Sequence, residues 1–374
     1  MINVLADRYL FNIQSYLPEN INLILFDPAE GLPDISSVHA LLIRTVIQIN
    51  KTTLPAIPKS LEFVGTASAG TDHVDISYLE SHGVQFANAV GCNARSVAEY
   101  VATALLIWSD QRQKTLTELS MGVIGVGNVG THVIRLMNKL GVSTTAYDPP
   151  REQRDPTFSS NSLEELLATD ILSFHTPLTR DGAHPTYHWL DTKKLIKQNY
   201  ELVLNTSRGG VIDEKAVLSA MDQGTIRDII IDVWEGEPDF NLSTAKKAFI
   251  KTPHIAGYSV QAKERASNLA ANAMLNHFGI SHPELKTKSK PNVLKKEISE
   301  FDSLSALLDE LHPLGEYETE LQKIITNFEN ERAKYFNKLR AEFPLRQEFP
   351  QTYLPASYFK RFPILKAMGF STAD

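Results

Sequence analysis

The chain has 374 residues, 43% apolar and 22% charged, the size and balance of two or three domains with real cores. Its 37 basic and 44 acidic residues leave a net charge of −7, which argues against a general polyanion binder, and nucleic acid is not an expected partner. Cys92 is the one cysteine of the sequence, so an intramolecular disulfide, a thiolate metal site and a Cys-x-x-Cys redox pair are all excluded.

At the start, Asp7 and Arg8 stand where a signal peptide needs an apolar run, so the segment reads as a first buried strand. Apolar stretches such as 101–108 are far shorter than the ~20 residues that span a bilayer, and the protein is expected to be cytoplasmic, with no membrane partner. Short β-rich runs at 2–5, 22–26, 40–43, 62–66 and 84–87 alternate with polar or helical segments, the rhythm of a parallel sheet. A long apolar helix is predicted over 96–109, followed by a more regular doubly wound set of strands at 121–125, 144–148, 171–175, 201–205 and 229–233. A further helix over 260–278 has alanines and apolar residues suited to packing against the earlier long one.

The pattern predicts an α/β chain of two doubly wound parallel-sheet domains, flavodoxin-like or Rossmann-like, around a cleft, plus a small C-terminal α+β domain. The first domain is expected to be discontinuous, 1–93 plus 258–284, with 94–257 inserted into it and 285–374 following. Residues 286–296 read as a solvated tether, since no aromatic interleaves their lysines and Glu297, Glu300 and Asp302 follow at once. Helix-like spacing over 316–343 suits an accessory or assembly domain.

The segment Gly125-Val-Gly127-Asn128-Val129-Gly130 places three glycines directly after a predicted strand and before a helix over 133–140. Such spacing supplies a tight turn, close approach of a pyrophosphate and close helix-to-strand packing, with the helix start offering free N–H groups to phosphates. Asp148 ends the next strand at the distance where an acid accepts from ribose hydroxyls and repels a 2′-phosphate. The expected cofactor is therefore NAD, with Arg151 and Arg154 as nearby cations that would otherwise favour NADP.

Three later strand ends carry reactive groups: Arg208 in Asn205-Thr-Ser-Arg-Gly-Gly, Glu237 in Asp232-Val-Trp-Glu-Gly-Glu-Pro, and His254 in Pro253-His-Ile-Ala-Gly257-Tyr258. In an open parallel sheet these ends border the ligand crevice. Oxidising a secondary alcohol needs a base near neutrality, a cation for a carboxylate, and an acid that orients the base. Histidine, arginine and glutamate meet those needs. Singly each has a plain structural reading, as a surface cation, a loop acid before proline and a satisfied loop histidine; together, beside a dinucleotide loop, they point to catalysis.

The stretches Asn93-Ala-Arg-Ser-Val-Ala-Glu99-Tyr, 125–130, 205–213, 232–238 and 253–259 resemble the D-isomer-specific 2-hydroxyacid dehydrogenases. Arg44-Thr45, the run 63–75, Gly91-Cys92-Asn93, Asp148-Pro-Pro and Phe174-His-Thr176-Pro-Leu add to the match, which covers about residues 1–280. The resemblance implies that Arg208 and Glu237 are catalytic, that His254 is the proton donor or acceptor, and that Asp148, Thr176, Thr206, Ser207, Asp232 and Gly257 lie along NAD. It implies further that Thr45, Thr66 and Tyr258 meet a small phosphorylated 2-hydroxy acid, 4-phospho-D-erythronate, in a step of vitamin B6 biosynthesis. Arg44, with Thr45 and Thr66, is nominated for the phosphate. The tail, with 336–346 and 365–370 weakly alike, would make a homodimer.

Two other readings stay open: a sister enzyme acting on 3-phosphoglycerate or glyoxylate/hydroxypyruvate, and a non-enzymatic NAD-sensing protein of the same fold. No metal is expected, because Pro185 breaks the helix that would pair His184 with His188. Cys92 reads as a small hinge residue with no dedicated base.

Overall fold

The computed structural model describes residues 1–281, 289–342 and 344–373, and the chain divides into two units, Met1–Asn93 with Ser259–Lys290 and Ala94–Tyr258 with Pro291–Asp374. In the first unit, β1 (Ile2–Asp7), β2 (Ile21–Phe26), β3 (Ala40–Ile43), β4 (Phe63–Thr66) and β5 (Gln85–Asn88) form one parallel sheet in the order β2-β1-β3-β4-β5. The continuous apolar runs arise because both faces are covered. Helix Val260–His277, capped by the Ser259 hydroxyl, lays Ala270, Ala271, Met274 and Leu275 on Val4, Ala6, Leu42 and Phe63, while Leu79 and Val84 pack with Leu5, Leu41 and Val64 on the other side. The register pairs Ile43 with Thr66 and Thr66 with Asn88, so these strand ends are level.

The second unit is a six-stranded parallel sheet of β6 (Ser120–Ile124), β7 (Ser143–Tyr147), β8 (Ile171–Phe174), β9 (Tyr200–Asn205), β10 (Ile226–Ile231) and β11 (Ile250–Lys251), ordered β11-β10-β9-β8-β6-β7. The chain leaves β6 for β7 on one side and returns to β8 on the other. Between β6 and β8 lies the topological switch point, the place where open α/β sheets bind ligands. Helix Ala94–Arg112 buries Val101, Leu105 and Trp108 completely, and the Trp108 indole N–H donates to Asp228 at 3.0 Å, so the ring's apolar area is buried without orphaning its donor. Among the described residues, no helix is long and apolar enough to cross a membrane.

The tail departs from the expectation of a separate domain over 285–374. Leu307, Leu308, Leu354 and Tyr358 share one core with Val101, Leu105 and Val133, and Leu321, Ile324, Ile325 and Phe336 share another with Trp234, Phe240 and Ala245. Buried Arg346 donates to Glu99 at 2.6 Å and to the Ser96 carbonyl at 3.1 Å, and Glu99 accepts the Phe349 N–H at 3.1 Å. Amphipathic spacing reveals that a helix has an apolar face; it does not reveal which surface covers that face. The predicted helical span over 316–343 is two helices, Leu314–Asn327 and Arg332–Ala341, joined by a 3₁₀ turn, and Phe343 lies outside the described residues. A small parallel sheet of β12 (Asn292–Val293), β13 (Thr352–Pro355) and β14 (Ser371–Ala373) completes the segment. The boundary expected at 284 and 285 and the tether residues 286–288 lie outside the described residues, while Asn292–Val293 of the tether joins that sheet as β12.

Candidate active site

The chain leaves β6 through Gly125, whose φ of 84° is a left-handed backbone that glycine adopts without strain. A Cβ at Gly125 would meet Thr176 Cγ2 at 2.7 Å and the His175 carbonyl at 2.8 Å, and one at Gly130 would fall 2.1 Å from the Gly125 carbonyl oxygen. A Cβ at Gly127, in contrast, would meet nothing within 4 Å among the described residues. Helix Asn128–Lys139 starts there with no side-chain cap, which leaves the first N–H groups, including those of Asn128 and Val129, for an anion. Beside this turn, the buried Thr176 hydroxyl has no hydrogen-bond partner among the described residues. Room, free donors and an orphaned hydroxyl at a switch point are what a dinucleotide requires.

Asp148 follows β7 and stiffens the same loop: one carboxylate oxygen accepts the Val126 N–H at 2.8 Å and the other the Arg151 N–H at 2.9 Å. Each oxygen keeps a lone pair for a ribose hydroxyl. Arg151 donates to the Val126 carbonyl at 2.6 Å and to Asp155 at 3.1 Å, and Arg154 Nε donates to the Pro150 carbonyl at 2.9 Å. Arg151 is thus a loop brace, its charge already paired with Asp155 rather than left for a 2′-phosphate.

After β9, fully buried Asn205 organises the next loop, accepting the Ser207 N–H at 3.0 Å and hydroxyl at 2.8 Å and donating to the Arg208 carbonyl at 2.9 Å. Arg208 donates to the Ser207 carbonyl at 2.8 Å, and the Thr206 hydroxyl meets His175 Nδ1 at 3.3 Å. Burial drives the His175 imidazole down to about 3, so it stays neutral and structural. A Cβ at Gly209 would lie 1.8 Å from the Trp234 carbonyl oxygen, which is how the Arg208 loop comes against the loop that carries Glu237.

His254 occupies a left-handed backbone, φ 58°, a conformation that a non-glycine residue holds only where its surroundings impose it. Asp232 imposes it. Its carbonyl accepts the His254 N–H at 2.7 Å, and its carboxylate, 1% exposed, accepts the Ile255 N–H and the Thr252 hydroxyl at 2.7 Å and the Ala256 N–H at 3.0 Å. Burial raises the Asp232 carboxyl while the nearby His254 lowers it. The side chain expected along the cofactor is therefore committed to shaping the turn that ends in Gly257 and Tyr258. His254 Nδ1 meets Glu237 Oε1 at 2.5 Å, and the other Glu237 oxygen accepts the Trp234 N–H at 3.2 Å. Burial would raise the Glu237 carboxyl, yet the charge and hydrogen bond of His254 hold it below its ordinary value. An ionised carboxylate on Nδ1 fixes the tautomer and leaves Nε2 for a proton in transit.

In the first unit, Arg44 and Thr45 follow β3 and Thr66 ends β4, neighbouring carboxyl ends of that sheet. Arg44 Nε donates to buried Asp7 at 2.7 Å, Thr45 is exposed, and buried Thr66 meets His73 Nε2 at 2.8 Å. His184 and His188 part company: one meets Gln153 at 3.1 Å, the other Glu235 at 2.8 Å. Cys92 is buried, and burial pushes its thiol up to about 11, an inert group. Sequence reasoning missed His175, Asn205, His73 and Arg340, whose Nε donates to the Tyr258 hydroxyl at 3.1 Å. The i, i+4, i+8 spacing of Arg332, Phe336 and Arg340 puts them on one helix face but does not reveal the partner of that face.

Residues 94–256 match the model of the D-isomer specific 2-hydroxyacid dehydrogenase NAD binding domain. The chain is 35% identical over 353 residues to an erythronate-4-phosphate dehydrogenase of Proteus mirabilis, covering 92% of each chain. It is 36% identical over 316 residues to one of Bacteroides thetaiotaomicron, covering 84% of this chain and 87% of that one. The solved D-lactate dehydrogenase of Aquifex aeolicus, complexed with NAD and lactic acid, superposes with a TM-score of 0.59 at 20% identity, over 74% of this chain and 95% of that one. The NADPH-dependent glyoxylate/hydroxypyruvate reductase of Sinorhizobium meliloti, with NADP and malonate, gives 0.60 at 22%, over 74% and 93%. At such identity these two structures speak for the fold alone.

Proposed function

Because the chain belongs to the D-isomer specific 2-hydroxyacid dehydrogenase family, we propose that it oxidises 4-phospho-D-erythronate to 3-hydroxy-2-oxo-4-phosphobutanoate with NAD, a step toward vitamin B6. The observation that carries this reading is the 2.5 Å pair of His254 and Glu237, in a strained turn of the unit that also carries the glycine loop. NAD, when bound, supplies the hydride acceptor. Gly125, Gly127, Asn128, Val129 and Gly130 would hold its pyrophosphate, with Asp148 for the ribose and Thr176, Thr206, Ser207 and Gly257 for the remainder; Asp232 holds the turn that leads to Gly257.

His254 takes the C2 hydroxyl proton on Nε2, and Glu237 stabilises the cation so formed. Arg208 grips the substrate carboxylate, a planar fork against a planar anion. Thr45, Thr66 and Tyr258 contact the substrate, and Arg44 pairs with Asp7 at the same sheet edge as Thr45. On this reading the tail expected over 285–374 serves a homodimer, and the enzyme works in the cytoplasm. The test is His254→Ala: turnover falls by about 10²- to 10⁴-fold while NADH binding persists, as loss of a general base requires. Near-normal turnover overturns the mechanism, and NAD binding with no turnover by the unaltered chain on any 2-hydroxy acid favours the NAD-sensing alternative.

A further inference from the structure

Helix Arg332–Ala341 places Arg332, Phe336 and Arg340 on one face, four residues apart. The first two fasten that face to the segment just after Glu237: Arg332 pairs with Asp239 at 2.7 Å, and the fully buried Phe336 ring lies 5.5 Å from Phe240. The third, Arg340, therefore arrives at the catalytic loops. Its Nε donates to the Tyr258 hydroxyl at 3.1 Å, with the guanidinium 6.0 Å from the ring, while Nη1 and Nη2 make no hydrogen bond among the described residues. Burial alone would lower the Arg340 pKa, but the Tyr258 oxygen, Glu237 and Asp232 hold it above its ordinary value, which marks acidic groups close around a cation that makes no ion pair by contact among the described residues.

We propose that Arg340, delivered by the C-terminal segment, is a specificity residue whose two open nitrogens, beside the Tyr258 hydroxyl, bind the phosphate of the substrate. This rests on the reading of the substrate as a phosphorylated 2-hydroxy acid. The chemistry asks for such a residue. A substrate with a carboxylate and a phosphate dianion brings about three negative charges, Arg208 answers the carboxylate, and Arg44 is already paired with buried Asp7 at 2.7 Å. An arginine held by one nitrogen and open at two has the fork that phosphate recognition uses.

Arg340→Gln and Arg340→Lys in the full chain are compared with the unaltered protein on 4-phospho-D-erythronate and on D-erythronate, with NADH titration and thermal melting as checks of folding. Arg340→Gln is expected to lose roughly 10- to 100-fold in kcat/KM on the phosphorylated acid, mostly in KM, with under about 3-fold change on D-erythronate. Arg340→Lys recovers part of it. An equal loss on both acids would make Arg340 a positioning residue for Tyr258 or Glu237, and no loss would remove it from the site; either overturns the proposal. Inorganic phosphate supplies a readout apart from activity: its stabilisation of the NAD-loaded protein in a thermal melt is expected to shrink in Arg340→Gln, and equal stabilisation of both proteins also overturns it. Should the unaltered chain prefer 3-phosphoglycerate, the substrate reading fails by itself, and the same comparison on that acid and its unphosphorylated form still tests Arg340.

Discussion

Adding one carbon at Gly209 tests whether the Arg208 and Glu237 loops act as a single unit. An alanine Cβ would stand 1.8 Å from the Trp234 carbonyl oxygen, 2.2 Å from its carbon and 2.7 Å from the Glu235 nitrogen, all backbone atoms that cannot swing aside. Contacts of this kind almost never fall below 3.0 Å, so the loops must part by about 1 Å or more. Arg208 directly precedes the substituted residue, and Trp234 donates its N–H to Glu237, so the displacement reaches both functional groups. Misplacement by about 1 Å costs roughly 10²-fold in rate, or about 2.7 kcal/mol of barrier. Gly209→Ala is therefore expected to lose about 100-fold in kcat/KM, measured by NADH formation, with NADH affinity by fluorescence titration changed less than about 3-fold, since the glycine loop hangs from β6. Near-normal kcat/KM would refute the geometric argument, and a matching loss of NADH affinity would show that the damage is not local.

Gly127→Ala meets nothing in the free protein, so its melting temperature should hold while its affinity for NADH drops at least about 10-fold, because the added methyl enters the space left for pyrophosphate; unchanged affinity would place the cofactor elsewhere. Glu237→Gln keeps the shape but not the charge on His254 Nδ1, and kcat should fall about 10²- to 10⁴-fold with little change in NADH binding. The folded Glu237 carboxyl titrates below its unfolded value, so the stabilisation it contributes is present above the ordinary carboxylate range and is lost as pH falls through the depressed value. Glu99 has the opposite sign: burial first, opposed by Arg346, pushes it up to about 7, so its contribution is full at acid pH and is lost as pH rises toward and through that value. The melting temperature of the unaltered chain, relative to Glu99→Gln, should therefore decline between about pH 5 and 8; a flat difference would show that Glu99 stays ionised throughout.

Local patterning carries what could be read before folding. The apolar runs are continuous because each sheet is buried on both faces, and the left-handed backbone at Gly125 and the close approach of Gly130 to the Gly125 carbonyl are features within six residues, so strands and glycine loop were legible. Arg208, Glu237 and His254 could be nominated from the sequence because each lies within about six residues after a strand end, where an α/β sheet puts its chemistry. Asp232 was visible but its task was not, since accepting from Thr252, Ile255 and Ala256 is a property of the folded turn. Arg340 lies 82 residues from its partner Tyr258, and Arg346 lies 247 from Glu99; no local periodicity encodes such meetings. The same ignorance of partners made the tail look autonomous.

The central claim is tested most directly by initial rates of NADH formation on 4-phospho-D-erythronate, 3-phosphoglycerate and D-erythronate, with a 2-oxo acid present to reoxidise any tightly held NADH. A kcat/KM at least about 100-fold higher for 4-phospho-D-erythronate than for D-erythronate is the predicted result, the margin that charged contacts to a phosphate can supply, with 3-phosphoglycerate, which also carries a phosphate, the poorer substrate of the two phosphorylated acids. Preference for another acid would contradict the substrate assignment while keeping the His254 and Glu237 chemistry, and silence on all three would contradict the account as a whole.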